Sequence, residues 1–202
     1  MSNHFRIEKS NRLFSENFIK IFESWADLND KYIDVSDGDE CAYFFSERTN
    51  CAMLNAAAYK VDGVVSLIEV PVERKRSFSG VKSGSGHYDL YIYDGIHSYL
   101  IETKQSWYID KLPDRIKETE KQVKSIKNDH KHDLNLSVVF SVARYKNVDK
   151  NIVEDHIKII SKIAQDANVD GVFHYYPKKA MDIIGWRNYI YPGVSILISV
   201  VE

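Results

Sequence analysis

Hydrophobic positions in the first third of the chain recur at helical spacing. Between residues 12 and 28, apolar side chains return every three or four positions, a period typical of an amphipathic helix. Ser10 or Asn11 lies just before this run and is a suitable N-cap. A second run, from Ser46 to about Lys60, contains four alanines and predicts another tightly packed helix, capped by Ser46.

The middle of the chain changes to β-branched and alternating patterns. The stretch VVSLIEVPVE follows an Asp-Gly turn and predicts a strand that ends near Pro71. A basic stretch rich in glycine and serine, at 74–86, predicts a loop. Two apolar runs between residues 86 and 107 flank Asp94-Gly95, a pair typical of a two-residue β-hairpin turn.

The rest of the chain alternates between the two patterns. Residues 112–130 and 151–167 predict helices, and residues 134–143, 171–176 and 193–201 predict strands. This order predicts an α/β protein in which a mixed β-sheet is flanked by helices. The sequence contains no internal repeat and no long linker, so residues 1–202 are expected to form a single domain.

Composition and charge narrow the class of protein. Hydrophobic residues make up 44% of the chain, which is enough to build a core. The net charge of −2 gives no overall attraction to nucleic acid, so any such binding must depend on a local patch. No apolar run has the length of a membrane span, and Cys41 and Cys51 do not form a metal-type cluster. We expect a cytoplasmic protein with reduced thiols and no membrane partner.

The predicted hairpin carries charged residues where an ordinary strand needs none. With Asp94-Gly95 as the turn, strand alternation places His87, Asp89, Glu102 and Lys104 on one face. Asp89 and Glu102 are then diagonal neighbours, and a four-residue loop would keep the same faces. Two packed carboxylates repel each other unless a cation neutralises them, and oxygen ligands suit Mg²⁺ or Mn²⁺. Lys104 could then reach a phosphate or the attacking water.

This pattern resembles the PD-(D/E)XK superfamily of nucleases, which have the restriction-endonuclease-like fold. The resemblance consists of Asp89, twelve further residues, and then Glu102-Thr103-Lys104-Gln105. The core of that fold runs helix, three strands, helix, strand, and the order predicted over residues 46–143 is the same. Tyr88 stands in the proline position of the motif, which is a departure. The resemblance implies a metal-dependent nuclease that hydrolyses nucleic acid, with DNA favoured and endonuclease cleavage expected.

The resemblance also implies roles for individual residues. Asp89 and Glu102 would bind Mg²⁺ or Mn²⁺ with the Thr103 carbonyl, and Lys104 would orient or activate the water. The family often adds a glutamate from the helix before the first core strand, and Glu47 is in that position. Glu47 shares a helical stripe with Cys51. The residues expected to contact nucleic acid are Arg74, Lys75, Arg76, Lys82, His87 and Gln105.

Other interpretations remain open at this stage. A second Glu-x-Lys occurs at residues 73–75, but its nearest upstream acid, Asp62, lies on the same strand with no hairpin between them. The basic loop at 74–86 could equally be a run of charges that is simply solvated and contacts no phosphate. The chain could also be an inactive relative that binds nucleic acid or a protein, or an α/β interaction protein in which the hairpin charges form ion pairs. Cleavage of both strands of a duplex would favour a homodimer.

Overall fold

The computed structural model describes residues 5–73, 85–126, 133–146, 151–181, 183 and 188–202. Within these ranges, seven strands form one mixed sheet, and four α-helices cover it. The prediction of a single α/β domain with a mixed sheet flanked by helices is confirmed at this level. In the same ranges, no helix combines the length and the apolar character that crossing a membrane requires.

The first two helices begin where serine side chains cap them. The first helix starts after Ser15, whose hydroxyl accepts the Phe18 N–H at 3.0 Å, so the predicted start near Ser10 is wrong. The second starts after Ser46, whose hydroxyl accepts the Thr49 N–H at 3.1 Å, as predicted. The helices are α1 (Glu16–Val35), α2 (Glu47–Ala58), α3 (Leu112–Lys124) and α4 (Ile152–Asp166).

The strands lie in the order β1-β6-β7-β5-β4-β3-β2 across the sheet. Strands β4 and β5 pair in parallel, and every other described neighbouring pair is antiparallel. The bounds are β1 (Phe5–Lys9), β2 (Val65–Glu73), β3 (Ser85–Tyr93), β4 (Ser98–Ser106), β5 (Asp133–Val142), β6 (Gly171–Tyr175) and β7 (Val194–Val200). Strand β2 ends at Glu73, near Pro71 as predicted. It can include the proline because it lies at the sheet edge, where a missing N–H removes no bond to a second neighbour.

Strand β1 was not expected from the sequence. Its residues, FRIEK, have no clear apolar alternation, yet Phe5 pairs with Tyr175 at the end of β6. Its place at an edge explains this pattern, because most of its residues stay exposed to solvent. Its pairing with a strand far along the chain is a tertiary contact that local patterns do not encode.

The helices cover both faces of the sheet. On one face, Trp25 of α1 and Leu54 of α2 are fully buried in the main core with Phe140 of β5. On the other face, Ile116 of α3 and Ile160 of α4 pack in a second cluster. Full burial of each large apolar side chain stabilises the fold by about 1.5–3 kcal/mol, so the two clusters hold the sheet as a rigid middle layer.

The hairpin register differs from the prediction. Tyr93 pairs with Ser98, so a four-residue loop, 94–97, joins β3 and β4 in place of a two-residue turn. The Asp94 carboxylate stabilises this loop by accepting the N–H groups of Ile96 at 2.8 Å and His97 at 2.7 Å. Because the register moves by two positions, the paired residues keep their predicted faces.

Candidate functional site

The alternation of side chains along β3 breaks at Asp89. Leu90 packs in the main core, whereas Tyr88 packs with Leu100 in a separate cluster, although a regular strand would put Tyr88 and Leu90 on one face. On β2, between the partners of Tyr88 and Leu90, Glu69 has a left-handed backbone with a φ of 55°. Both strands are therefore distorted at the same level, and strand irregularities of this kind are frequent beside active sites.

The distortion brings the Asp89 carboxylate onto strand β4. Its Oδ2 atom accepts the Thr103 N–H at 2.7 Å and the Thr103 hydroxyl at 2.9 Å. The recorded main-chain pairing of β3 with β4 runs only as far as Leu90 and Ile101. The Cys51 thiol of α2 donates to the main-chain oxygen of Asp89 at 3.5 Å. Asp89 is thus held between α2 and β4 by charge-assisted and main-chain contacts.

The first turn of α2 brings Glu47 to the same place. The helical stripe predicted from the sequence is present, because Cys51 and Leu54 are buried against the sheet below Glu47. The Lys104 Nζ atom lies 3.2 Å from Glu47 Oε1. The Glu47 side chain is 32% exposed and that of Lys104 is 19% exposed, so the pair is partly shielded from water.

Glu47 lies in an environment that disfavours its charged form. Burial raises the pKa of Glu47, and the negative charge of Asp89 raises it further. The Lys104 ammonium and the Gln105 N–H lower the pKa of Glu47 but do not cancel the rise. The two carboxylates are therefore close enough to repel each other, and an added cation would relieve that repulsion.

Cys51 is an inert thiol beside these acids. Burial raises the pKa of Cys51 to about 12, and the charges of Asp89, Glu47 and Glu69 contribute to the rise. Cys41 is also buried, and burial raises the pKa of its thiol to about 12. Both cysteines are free, as expected, and neither suits a nucleophile at neutral pH.

A cleft of about 420 Å³ opens between α2 and the distorted part of β2 and β3. Three carboxyl side chains line it, those of Glu47, Glu69 and Asp89, together with Arg48 and Thr103. Glu69 is exposed, so its charge is well solvated. The cleft offers oxygen ligands beside a guanidinium group, a combination suited to a cation and a phosphate.

Glu102 and Thr103 occupy different positions from those expected. Glu102 is 3% exposed within β4 and is engaged in an interaction of its own. Thr103, expected to contribute only a carbonyl, is the β4 residue whose side chain contacts Asp89. The break in β3 at Asp89 explains the difference, because the prediction assumed regular alternation on both strands. The metal-ligand set of Asp89, Glu102, Thr103 and Glu47 stays a prediction.

The residues expected to contact nucleic acid divide into two groups. Gln105 joins the site to α2, because its Oε1 atom accepts the Asn50 side-chain N–H at 3.0 Å and its Nε2 atom donates to the Phe44 carbonyl at 3.4 Å. His87 is exposed on β3, opposite Pro71 at the sheet edge. Arg74, Lys75, Arg76 and Lys82 lie outside the described residues.

Sequence reasoning missed Glu69, Asn50 and the side chain of Thr103. Glu69 sits inside an apolar run, and an acid in such a run is a signal that could have marked it. No sequence signal marks Asn50, since its partners, the Tyr43 carbonyl and the Gln105 side chain, depend on how α2 packs against β4.

Neither a clustered metal-binding group among the described residues nor a match to a known protein marks the site. Over the part of the chain that the structure describes, no three His, Cys, Asp or Glu side chains are grouped so as to hold a metal ion. The carboxylates that line the cleft are those of Asp89, Glu47 and the exposed Glu69. Comparison of the chain with known protein families, curated proteins and solved structures finds no match.

Proposed function

We propose that the protein is a metal-dependent phosphodiesterase of the PD-(D/E)XK type. It hydrolyses nucleic acid, with DNA the expected substrate and endonucleolytic cleavage the expected mode. One observation carries the proposal: Asp89, at the break in β3, shares a cleft with Glu47, and Glu47 pairs with Lys104. Acid, acid and lysine are thereby assembled by three different elements, which an accidental Glu-x-Lys match would not require.

The order of elements supports the same proposal. Helix α2 is followed by the antiparallel strands β2, β3 and β4, then by α3 and by β5, which pairs in parallel with β4. This is the order of helix, three strands, helix and strand on which the resemblance was based. Asp89 lies on the second of these strands and Lys104 on the third, as the motif requires.

The carboxylates are chemically suited to Mg²⁺ or Mn²⁺. Asp89 and Glu47 offer hard oxygen ligands. Burial, and after it the Asp89 charge, raise the pKa of Glu47, and the part due to Asp89 supports the proposal because a bound cation would offset that repulsion. Glu102 and the Thr103 carbonyl are the further ligands of the proposal. When bound, the ion would neutralise phosphate oxygens and lower the pKa of a nearby water.

Side chains of the site would orient the attacking water and the phosphate. Thr103 fixes the orientation of the Asp89 carboxylate through two hydrogen bonds to its Oδ2 atom. Lys104 holds a proton at Nζ and donates to Glu47; with a phosphodiester in the cleft, this ammonium is placed to orient water or balance charge on the phosphate. Arg48 at the cleft wall supplies a second phosphate contact.

An inactive nuclease-fold protein is the second candidate. The observation that favours it is that protein donors already satisfy part of the site: Asp89 is bonded by Thr103, and Glu47 by Lys104. Such a protein would keep the acids as structural ion pairs and bind nucleic acid or a protein partner without cleavage.

Cleavage and metal binding are tested with one set of variants. Supercoiled plasmid, linear duplex, single-stranded DNA and RNA are incubated with the protein in Mg²⁺, in Mn²⁺ and in EDTA. We expect cleavage that requires the metal and falls roughly 100-fold in Asp89→Asn and in Lys104→Met. Asp166→Asn removes an exposed acid at the end of α4 and is the matched control, with unchanged cleavage expected.

Thermal melting in the same buffers separates the two candidates. The proposed site predicts that Mn²⁺ raises the melting temperature of the wild-type protein and of Asp166→Asn but not of Asp89→Asn. Metal stabilisation without cleavage of any substrate would favour the inactive protein. Equal melting of all variants with Mn²⁺ and with EDTA would exclude a metal site formed by Asp89. If both strands of a duplex are cut together, a homodimer in solution is expected.

A further inference from the structure

Three segments meet at the end of the sheet where the strands β4 and β5 finish. Because β4 and β5 are parallel, their carboxyl ends lie together, and β7 starts beside them, opposite Val142. The segment before β7 is tied to the segment after β5 by two main-chain hydrogen bonds between Tyr145 and Ile190, at 3.0 and 2.8 Å. The backbone at this end of the sheet is therefore held by hydrogen bonds, although its residues lie in the segments that connect the strands.

An aromatic-basic surface covers this end of the sheet. We define it as Trp107, Tyr108, Arg144, Lys146 and Tyr189. The Arg144 guanidinium lies 4.4 Å from the ring centroid of Tyr108 and 4.4 Å from that of Tyr189, and Lys146 lies 5.8 Å from the Tyr189 ring. Trp107 is 41% exposed and Tyr108 is 53% exposed. Large rings and two cations thus share one accessible surface.

Two positive charges, those of Arg144 and Lys146, lie on this surface. Among the residues that the structure describes, no carboxylate forms an ion pair with Arg144 or Lys146. The Arg144 guanidinium instead contacts the rings of Tyr108 and Tyr189, which restrain its position by cation–π attraction. A guanidinium, exposed indole and phenol rings and a lysine on one surface suit a ligand with flat aromatic groups and negative charge.

The surface is connected to the candidate site through neighbouring residues. Lys104 and Gln105 are the last β4 residues before Ser106, so the surface begins directly after them in the chain. The Gln105 side chain donates to the Phe44 carbonyl, and the Phe44 ring stacks on the Tyr191 ring with centroids 4.6 Å apart. The surface therefore adjoins the end of β4 that carries Lys104, so a strand bound on the surface would lie beside the candidate site.

From this arrangement we infer that the aromatic-basic surface binds unpaired bases of single-stranded nucleic acid and delivers the strand to the cleft at Asp89. The inference names a substrate class and rests on the proposed phosphodiesterase. Bases in a duplex are stacked on each other and do not expose their faces, whereas unpaired bases stack on aromatic rings and on arginine planes. The substrate is then a single strand, or a single-stranded part of a larger molecule.

Binding is measured in EDTA, so that cleavage cannot contribute. Fluorescence anisotropy follows labelled oligothymidylate and oligouridylate of about fifteen nucleotides, and a duplex of equal length. The wild-type protein should bind the single strands more tightly than the duplex. Trp107→Ala and Tyr108→Ala should each weaken single-strand binding by roughly 5- to 100-fold, since stacking of one base contributes that much. The comparison of thymidylate with uridylate shows whether DNA or RNA is preferred.

The matched control is Tyr93→Ala. Tyr93 is an equally exposed ring, at 41%, but it pairs with Ser98 at the opposite end of β4. Its removal should leave the affinity unchanged. Arg144→Lys keeps the charge and loses the guanidinium plane, so it should also weaken binding. Melting of each variant shows that the loss is not one of folding.

Some outcomes would overturn the inference. Wild-type affinity in Trp107→Ala and Tyr108→Ala, no single-strand binding at all, or tighter binding of the duplex would each mean that Arg144 only clamps two segments together. The result is separable from that of the proposed function. Single-strand binding without cleavage in any metal would remove the phosphodiesterase and leave the surface, whereas cleavage that is indifferent to the aromatic variants would remove only the surface.

Discussion

Asp89 accepts two hydrogen bonds from Thr103, one from its N–H at 2.7 Å and one from its hydroxyl at 2.9 Å. A strand residue would ordinarily leave that N–H to the neighbouring main chain or to solvent. Here a side chain takes it, because β3 breaks its alternation at Asp89 and turns the carboxylate toward β4. The same acid therefore holds two strands together and faces the cleft. Variants at Asp89 separate these two roles.

Asp89→Ala should destabilise the protein more than Asp89→Asn does. Alanine leaves the Thr103 N–H and hydroxyl, which belong to a residue 1% exposed, without their acceptor, at a cost of about 1–3 kcal/mol. Asparagine keeps one oxygen acceptor at nearly the same place. Urea unfolding of both variants measures the difference, and equal stabilities would mean that the two bonds do not matter for the fold.

Glu47→Gln should raise the stability of the metal-free protein near neutral pH. Burial and the Asp89 charge raise the pKa of Glu47, so the folded protein holds this proton more tightly than the unfolded chain. The free energy of unfolding then falls as the pH rises from the ordinary carboxyl pKa through the raised one. Above that window we expect the variant to melt about 2 °C higher than the wild type, a gain that vanishes in acid.

Added Mn²⁺ should reverse this order. The wild-type protein gains stability from an ion at Glu47, and the glutamine variant gains less. Melting curves across the acid-to-neutral range, with and without Mn²⁺, test both parts. A variant that is less stable than the wild type in EDTA at neutral pH would show that the Lys104 pair outweighs the burial of Glu47.

Lys104 and Glu47 should show a measurable coupling in a double-mutant cycle. Their atoms lie 3.2 Å apart and both side chains are partly shielded, so we expect a coupling free energy of about 1 kcal/mol between Lys104→Met and Glu47→Gln. Urea unfolding of the two single variants and the double variant gives this value. Additive effects would show that the pair contributes nothing to stability, and the lysine would then be retained for another reason.

His156 should make the protein sensitive to acid. Burial lowers the pKa of His156 to about 4, and the charge of the nearby His174 lowers it further. The Nδ1 atom of His156 lies 2.6 Å from the Tyr145 hydroxyl. The unfolded chain binds a proton at the ordinary pKa, and the folded protein does not. The free energy of unfolding should therefore fall between the ordinary pKa and about 4, by about 3 kcal/mol in all.

His156→Gln provides the control for the acid effect. Glutamine does not titrate, and its amide can still bond to Tyr145. Urea unfolding at neutral and at acid pH should show a smaller loss in the variant than in the wild type. An identical pH dependence in both proteins would assign the acid sensitivity to other groups, such as the pair of His174 with Glu8.

Gly193 should tolerate no side chain. A Cβ atom at this position would lie 2.4 Å from the Tyr175 carbonyl oxygen and 2.3 Å from the Tyr176 ring. Gly193→Ala therefore forces the start of β7 away from β6, at a cost of about 3 kcal/mol. Gly38→Ala is the comparison: it meets no atom within 4 Å, and its φ of 81° predicts a loss of about 1 kcal/mol. Thermal melting ranks the two.

The local sequence determined much of the framework of the site. Helical spacing placed Glu47 on the buried stripe of α2, because a side chain one turn from Cys51 must share its face. The apolar runs placed Asp89 and Lys104 on adjacent strands. The paired residues 90–93 and 98–101 kept their predicted faces despite a two-residue error in the loop, because strand parity has a period of two, but Asp89 left its predicted face. These features follow from periods of a few residues.

Tertiary structure decided the features that local sequence periods do not predict. The turn of Asp89 toward Thr103 depends on a distortion shared with Glu69 of β2, and the β1 edge strand forms only by pairing with β6. The stacking of Arg144 between Tyr108 and Tyr189 likewise joins three segments that are distant in the chain. The face on which a side chain lies follows from the period of its helix or strand and depends only on neighbouring residues. Bulges, edge pairing and stacking depend on the free energy of contacts between distant parts of the chain.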